Sequence, residues 1–254
     1  MANGFLSTLC LRFYEELNDF LPPERRKVQF HYSLERKASI KDVIESLGVP
    51  HTEVELILVN GRSVDFSYGV QHNDHISVYP VFESIDISPL LKVRNKPLRD
   101  CRFVLDCNLG RLARYLRLLG FDCLYRNDFA DAEIADIGSR QHRIVLTRDR
   151  RLLHRKIITH GYFVRSDQPR RQVKEVLQRF DLHRLVAPFT RCSRCNGLVS
   201  VVPKDQIEER LEPLTRIHYD DFRMCDNCGQ IYWQGSHQNN ARELIQEFIE
   251  PDDG

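Results

Sequence analysis

Two sets of residues in this 254-residue chain have the types and spacing to do chemistry. The first is a pair of C-x-x-C turns, Cys192-Ser193-Arg194-Cys195 and Cys225-Asp226-Asn227-Cys228, with 29 residues between them. Four thiolates at that spacing bracket one tetrahedral Zn²⁺, and Asn196-Gly197 and Gly229 directly after the pairs suit tight turns. A redox role would instead need a C-x-x-C opening a helix after a strand. His218 and His237 could also ligate, but four cysteines suffice, and a closed four-cysteine site is structural. The second set is carboxylates. Asp106, Asp149 and Asp167 each stand at or just beyond the end of a short apolar run, and Asp131 and Glu133 open a helical stretch. Clustered carboxylates repel, and a hard divalent cation relieves that repulsion, so Asp106, Asp149 and Asp167 are candidate ligands for Mg²⁺ or Mn²⁺. Such a site can activate water and neutralise charge on a phosphodiester. The competing reading for any one of these acids is an N-cap for the following helix.

The elements that must hold these acids read as strands alternating with helices. Phe103-Val104-Leu105 runs into Asp106. A helix follows with leucines at 109, 112, 116 and 119, and with Arg111, Arg114 and Arg117 largely off that stripe, ending at Gly120. Strands are expected over 121–125, 143–149 and 162–167, with helices from Asp131, from Arg150 and from Pro169 to Phe180. Strand ends in a parallel sheet share one edge, so the acids can converge there. Asp131 ranks ahead of Glu133 as the helical acid because it sits at the helix mouth. Cys101, Cys107 and Cys123 have no ligand spacing and are expected to pack as small apolar groups.

Charge is distributed unevenly. Residues 1–90 carry a net −5, residues 91–191 a net +12 and residues 192–254 a net −6, although the whole chain is +1. A basic centre is the footprint of a polyanion partner or of a solvated arginine-rich surface. Arg111, Arg114, Arg148 and Arg150 are the candidate contacts to the backbone phosphates of such a partner. No apolar run approaches membrane-spanning length, there is no secretory pattern at the N-terminus, and the eight cysteines are not spread as a disulfide framework. A cytoplasmic protein with no membrane partner is expected.

The first 85 residues read as strand, strand, helix, strand, strand, the β-grasp order. The strands are Leu9–Tyr14, Val28–Tyr32, Val54–Val59 and His75–Pro80, and Ser39 caps the helix. With the turns at Asn60-Gly61 and Asn73-Asp74 and the end Ile76-Ser77-Val78-Tyr79-Pro80, this part resembles the ubiquitin-like, sulfur-carrier type of β-grasp domain. Such carriers end in a free Gly-Gly. Here the chain runs on through Pro80-Val81-Phe82-Glu83, so docking a protein partner is the expected role. Residues 86–100 form a linker by composition.

Asp106 with Leu109-Gly110-Arg111-Leu112-Ala113-Arg114, then Leu146-Thr147-Arg148-Asp149, then Val164-Arg165-Ser166-Asp167 and the cysteine pairs, resembles the PIN-like RNase domain at the C-terminus of the exoribonuclease Mut-seven. The resemblance implies an α/β PIN-like parallel-sheet domain over 101–188. An α+β β-grasp domain over 1–85 precedes it, and a small zinc ribbon with a C-terminal helix over 189–254 follows. It implies metal-dependent RNA hydrolysis by Asp106, Asp149 and Asp167, with Asp131 as the helical acid, and a structural zinc on Cys192, Cys195, Cys225 and Cys228. The competitors are a non-catalytic RNA-binding adaptor and a protein-interaction module acting through the ubiquitin-like domain.

Overall fold

The computed structural model describes residues 7–80, 101–233 and 236–250, the side chains of 236–239 excepted; the expected linker at 86–100 lies outside the described residues. The chain divides into two compact units. One comprises Met1–Asp100 with Asp149–Phe163, the other Cys101–Arg148 with Val164–Gly254.

In the first unit β1 (Ser7–Phe13) pairs antiparallel with β2 (Phe30–Leu34). The helix α1 (Ile40–Ser46) starts in a reciprocal cap: Ser39 Oγ accepts from Asp42 N, and Asp42 Oδ2 accepts from Ser39 N. Then come β3 (Leu56–Val59), β4 (Arg62–Val64) and β5 (His75–Tyr79), in the sheet order β2-β1-β5-β3-β4. Only β1 and β5 run parallel. This is the expected β-grasp, with one strand more than the sequence reading held. Asn60 and Gly61, both at positive φ, close the β3–β4 hairpin, and β4 is too short to show a period. Leu9, Leu11 and Phe13 of β1 pack with Ile40, Val43 and Ile44 of α1 and with Ile57 and Val78 to form its core.

In the second unit β6 (Phe103–Leu105) lies between β7 (Cys123–Leu124) and β8 (Ile144–Thr147) and runs parallel to both. All three residues of β6 are buried, as a strand covered on both faces requires. The covering helices are α2 (Gly110–Leu118) and α3 (Asp131–Arg140). Leu112, Leu116 and Leu119 face inward, while Arg111 and Arg114 are exposed. Arg117 departs from the expected cationic face. It is buried, donates from Nε to Cys123 O at 2.8 Å and from Nη1 to Arg194 O at 3.0 Å, and so satisfies one carbonyl of β7 and one of the first cysteine turn.

From Asp149 to Phe163 the chain belongs to the first unit. This stretch holds α4 (Arg150–Leu153), shorter than expected, and β9 (Gly161–Phe163). The fully buried Glu53 accepts Phe163 N at 2.6 Å, and His51 bridges Glu45 and the carbonyl of Ile158. Back in the second unit, α5 (Pro169–Arg179) leads to the ribbon: β10 (Val199–Val202), α6 (Pro213–His218), β11 (Phe222–Cys225) and β12 (Ile231–Trp233), an antiparallel sheet in that order. The helix α7 (Ser236–Ile249) follows the ribbon sheet. Among the described residues no helix is long and apolar enough to cross a membrane.

The ribbon is held to the sheet by buried polar groups. Arg143 grips Asp122 through two nitrogens, at 2.8 and 3.2 Å, and Asn196 donates to the same carboxylate at 2.8 Å while accepting Cys123 N at 2.9 Å. Arg191 stands 3.6 Å from the second oxygen. Burial opposes ionisation of Asp122, yet Arg143, Asn196 and Arg191 together hold its carboxyl below the usual carboxylate range. Asp122→Asn should cost on the order of 2–3 kcal/mol at neutral pH, since it leaves a buried guanidinium unpaired. Because the folded-state pKa is depressed, the contribution is complete above the unfolded value of about 4 and is lost as pH falls through the folded value. Denaturation of the two proteins across pH should show the gap closing below about pH 4; a gap independent of pH would refute the assignment.

Candidate active-site rim and zinc centre

The parallel register Leu105↔Leu146 sets residue 106 beside residue 147 where both strands end. Asp106 N donates to Leu146 O at 3.0 Å, and its buried carboxylate accepts Thr147 Oγ1 at 2.7 Å. This locks the carboxylate at the C-terminal edge of the sheet, where α/β folds place their ligands. The backbone then turns through Cys107–Leu109 into α2. A Cβ at Gly110 would stand 2.6 Å from Tyr125 Oη, which donates to Cys107 O at 2.9 Å, so any larger residue there has to displace that ring.

Cys107 was expected to pack as an apolar group but is half-exposed on this rim. Its thiol is hydrogen-bonded to Asp106, and that bond, with burial and the charges of Asp106 and then Asp131, pushes its pKa up. Asp106 and Asp131 therefore act on one thiol. Glu133 is engaged elsewhere, by Arg126 at 3.4 Å. Cys123, by contrast, is buried as expected, and burial raises its pKa strongly.

The other acids stand as follows. Val164 N bonds Thr147 O at 2.9 Å, which carries the rim on towards the exposed Asp167, three residues later. The loop before Asp167 is fixed by Glu175, whose two oxygens accept Arg165 N and Ser166 N at 2.7 and 3.0 Å. Asp149, the first residue of its segment in the other unit, caps α4 by accepting Arg151 N at 2.8 Å. Of the four arginines, Arg111 and Arg114 are exposed and make no ion pair among the described residues. Arg148 is tied to the carbonyls of Val164, Arg165 and Ser166. Arg150 donates to Asp19 O at 3.1 Å and lies over the rings of Phe20 and Phe163. Thr147, Tyr125 and Glu175 escaped the sequence reading, because single hydroxyls and a helical Glu carry no spacing signal.

Among the described residues, one group of three or more His, Cys, Asp or Glu gathers to metal-ligand distance: Cys192, Cys195, Cys225 and Cys228, with all four sulfurs within 4.8 Å of one another. The two turns match. Asn196 N bonds Cys192 O at 2.9 Å, and Gly229 N bonds Cys225 O at 3.0 Å, with Asn196 and Gly229 both at positive φ. Burial opposes ionisation of Cys195, but hydrogen bonds from Gly197 and the neighbouring thiols and amide bring it down to about 6. Tyr232 donates its phenol to Cys192 Sγ at 3.1 Å, as an outer-shell partner would. Thiolate donors in this arrangement fit a tetrahedral Zn²⁺. The acids differ. No three of Asp106, Asp131, Asp149 and Asp167 gather to metal-ligand distance among the described residues, so the expected ligand set Asp106, Asp149 and Asp167 is not brought together; single carboxylates can still hold Mg²⁺ together with substrate phosphates.

The purified protein should carry one equivalent of zinc by elemental analysis. Cys225→Ser should lose it and lower the melting temperature. Full stability with no zinc in the parent would overturn the ribbon assignment.

Comparison with known proteins agrees with this geometry. No curated protein matches the chain, and no solved structure does. The family model of the Mut7-C ubiquitin matches residues 6–86, the stretch that folds as the β-grasp. The model of the Mut7-C RNAse domain matches residues 101–245, which hold the parallel sheet, the acid rim and the four-cysteine ribbon. Since that match spans more than half of its length, the chain belongs to the Mut7-C RNase family.

Proposed function

We propose that the protein is a metal-dependent ribonuclease that hydrolyses RNA phosphodiester bonds at the Asp106 rim. The observation that carries this reading is the buried Asp106 carboxylate, fixed by Thr147 at the end of a parallel strand. Asp106 and Asp131 would hold Mg²⁺ or Mn²⁺, with Asp167 as a further acid that follows Val164 in the chain. A bound divalent ion supplies positive charge at the scissile phosphate and an acidified water.

The remaining work falls to this chain. Thr147 holds Asp106 in one rotamer. A hydrogen bond with Asp106, burial and the nearby acidic charges raise the pKa of the Cys107 thiol, which disfavours its thiolate. Arg111 and Arg114, on the first turns of α2, take phosphate oxygens of the RNA. In the ribbon, a structural Zn²⁺ on the four cysteines holds the two turns together. The β-grasp domain, like other ubiquitin-like domains, would serve a protein partner.

The test is cleavage of a labelled structured RNA by zinc-loaded protein, with Mn²⁺ or without added divalent ion. Asp106→Asn and Asp131→Asn should each slow cleavage by about a hundredfold or more, several kcal/mol of transition-state stabilisation, while Glu133→Gln stays near the parent. RNA binding with no cutting under any metal would overturn the enzyme and leave an adaptor.

A further inference from the structure

A groove of about 1400 Å³ runs along α2 and the ribbon sheet in the second unit, and the rim chemistry does not use its far wall. One wall is the exposed side of α2, with Arg111 and Arg114. The other is a cross-strand row, Val201–Arg223–Tyr232, set by the registers Val201↔Arg223 and Arg223↔Tyr232. Both walls are fixed in place. Arg117 and the Asp122–Asn196 pair tie the ribbon to the sheet, and the Tyr232 phenol is pinned to Cys192 Sγ.

The charges here run against their surroundings. Residues 192–254 carry a net −6, so the ribbon as a whole repels a polyanion. Yet Arg223 is exposed on the groove wall and makes no ion pair among the described residues, like Arg111 and Arg114 opposite. The lining also includes Asp220, which Lys204 neutralises at 2.7 Å, and Asp221. Beside these cations stand Tyr232, half-buried, and Val201, which is 76% exposed, whereas Trp233 packs on the opposite face against Val202 and Phe222. Cations that can follow a phosphate backbone, set beside a fixed aromatic face, are the chemistry of single-strand binding, in which bases stack and phosphates pair with guanidinium groups. A duplex keeps its base faces stacked inside and cannot use the ring.

We infer that this groove binds a single-stranded RNA segment, with Arg111, Arg114 and Arg223 on its phosphates and Tyr232 beneath one of its bases. The α2 end of the groove begins four residues after Asp106 in the chain, so the strand held there is the one delivered to the rim. The inference rests on reading the chain as an RNA-cleaving enzyme and names the form of RNA it takes.

The test uses full-length, zinc-loaded Asp106→Asn protein and a fluorescent single-stranded RNA of about 12 nucleotides, with a duplex of the same length for comparison. Single-strand affinity should exceed duplex affinity. Arg114→Glu and Arg223→Glu should each weaken it by about tenfold and lower the salt slope by about one, the loss of one phosphate contact. Arg171→Glu, on exposed α5 surface outside the groove, should leave it within about twofold of the parent and so controls for the unspecific effect of reversing one surface charge. Zinc content and melting temperature show that each variant is folded. Single-strand binding unchanged by both groove variants would overturn the groove while leaving Asp106-dependent cleavage untouched. Equal affinity for duplex would overturn the single-strand assignment. Capture of an acidic peptide in place of RNA would overturn both. Groove-dependent binding in a protein that cuts nothing would uphold the groove and sink only the nuclease.

Discussion

The carboxylate of Asp122 is the point on which the second unit's organisation depends. It sits at the start of β7, takes both nitrogens of Arg143 beside β8, and receives the amide of Asn196 from the first cysteine turn. One anion thus joins the parallel sheet to the ribbon. Isolated, such a group would be costly to bury; surrounded by two guanidinium groups and an amide, it orients everything attached to them. The wall of the groove, the placement of Arg223 opposite α2 and the reach of Arg117 to Arg194 all presuppose that this joint is closed.

The rim works by a different economy of charge. Asp106 is buried but not isolated: the Thr147 hydroxyl donates to its carboxylate while its own backbone amide is tied to Leu146 O, and both partners are neutral. Neutral donors hold a carboxylate in position without cancelling its charge, which is the condition for a cation-binding acid. At Asp122 the partners are cations and the charge is cancelled. Two aspartates in one unit therefore have opposite characters, set by their neighbours and not by their burial.

Some of this could be read along the chain. The strand-ending Asp106 stood out because three apolar residues stop abruptly at an acid, and the cysteine turns stood out because Asn196-Gly197 and Gly229 accompany a strict spacing. The β-grasp order was visible because each of its longer strands alternates and its helix has a clear cap at Ser39. What could not be read were pairings between distant side chains. Asn196 meets Asp122 from 74 residues away, Thr147 meets Asp106 from 41, and Glu53 meets Phe163 from 110. Periodicity reports which face of an element is apolar; it says nothing about which exposed arginine will find a carbonyl. Arg111, Arg114 and Arg117 look alike in the sequence, and only Arg117 turns inward. Arg148 and Arg150 likewise look like phosphate ligands until their carbonyl and aromatic partners are in view.

The stretch from Asp149 to Phe163 has consequences for how this chain comes off the ribosome. It is threaded between two strands' worth of RNase sequence, yet it clusters with the β-grasp unit, anchored by Glu53, His51 and the Arg150–Phe20 contact. The first unit therefore cannot finish folding when residue 100 emerges. It waits for residue 163, by which time β6, α2 and β8 have already been synthesised. Neither unit is an independent cassette in the genetic sense, and a gene fragment beginning at residue 101 would encode an RNase domain with a fifteen-residue stretch deprived of its native anchors.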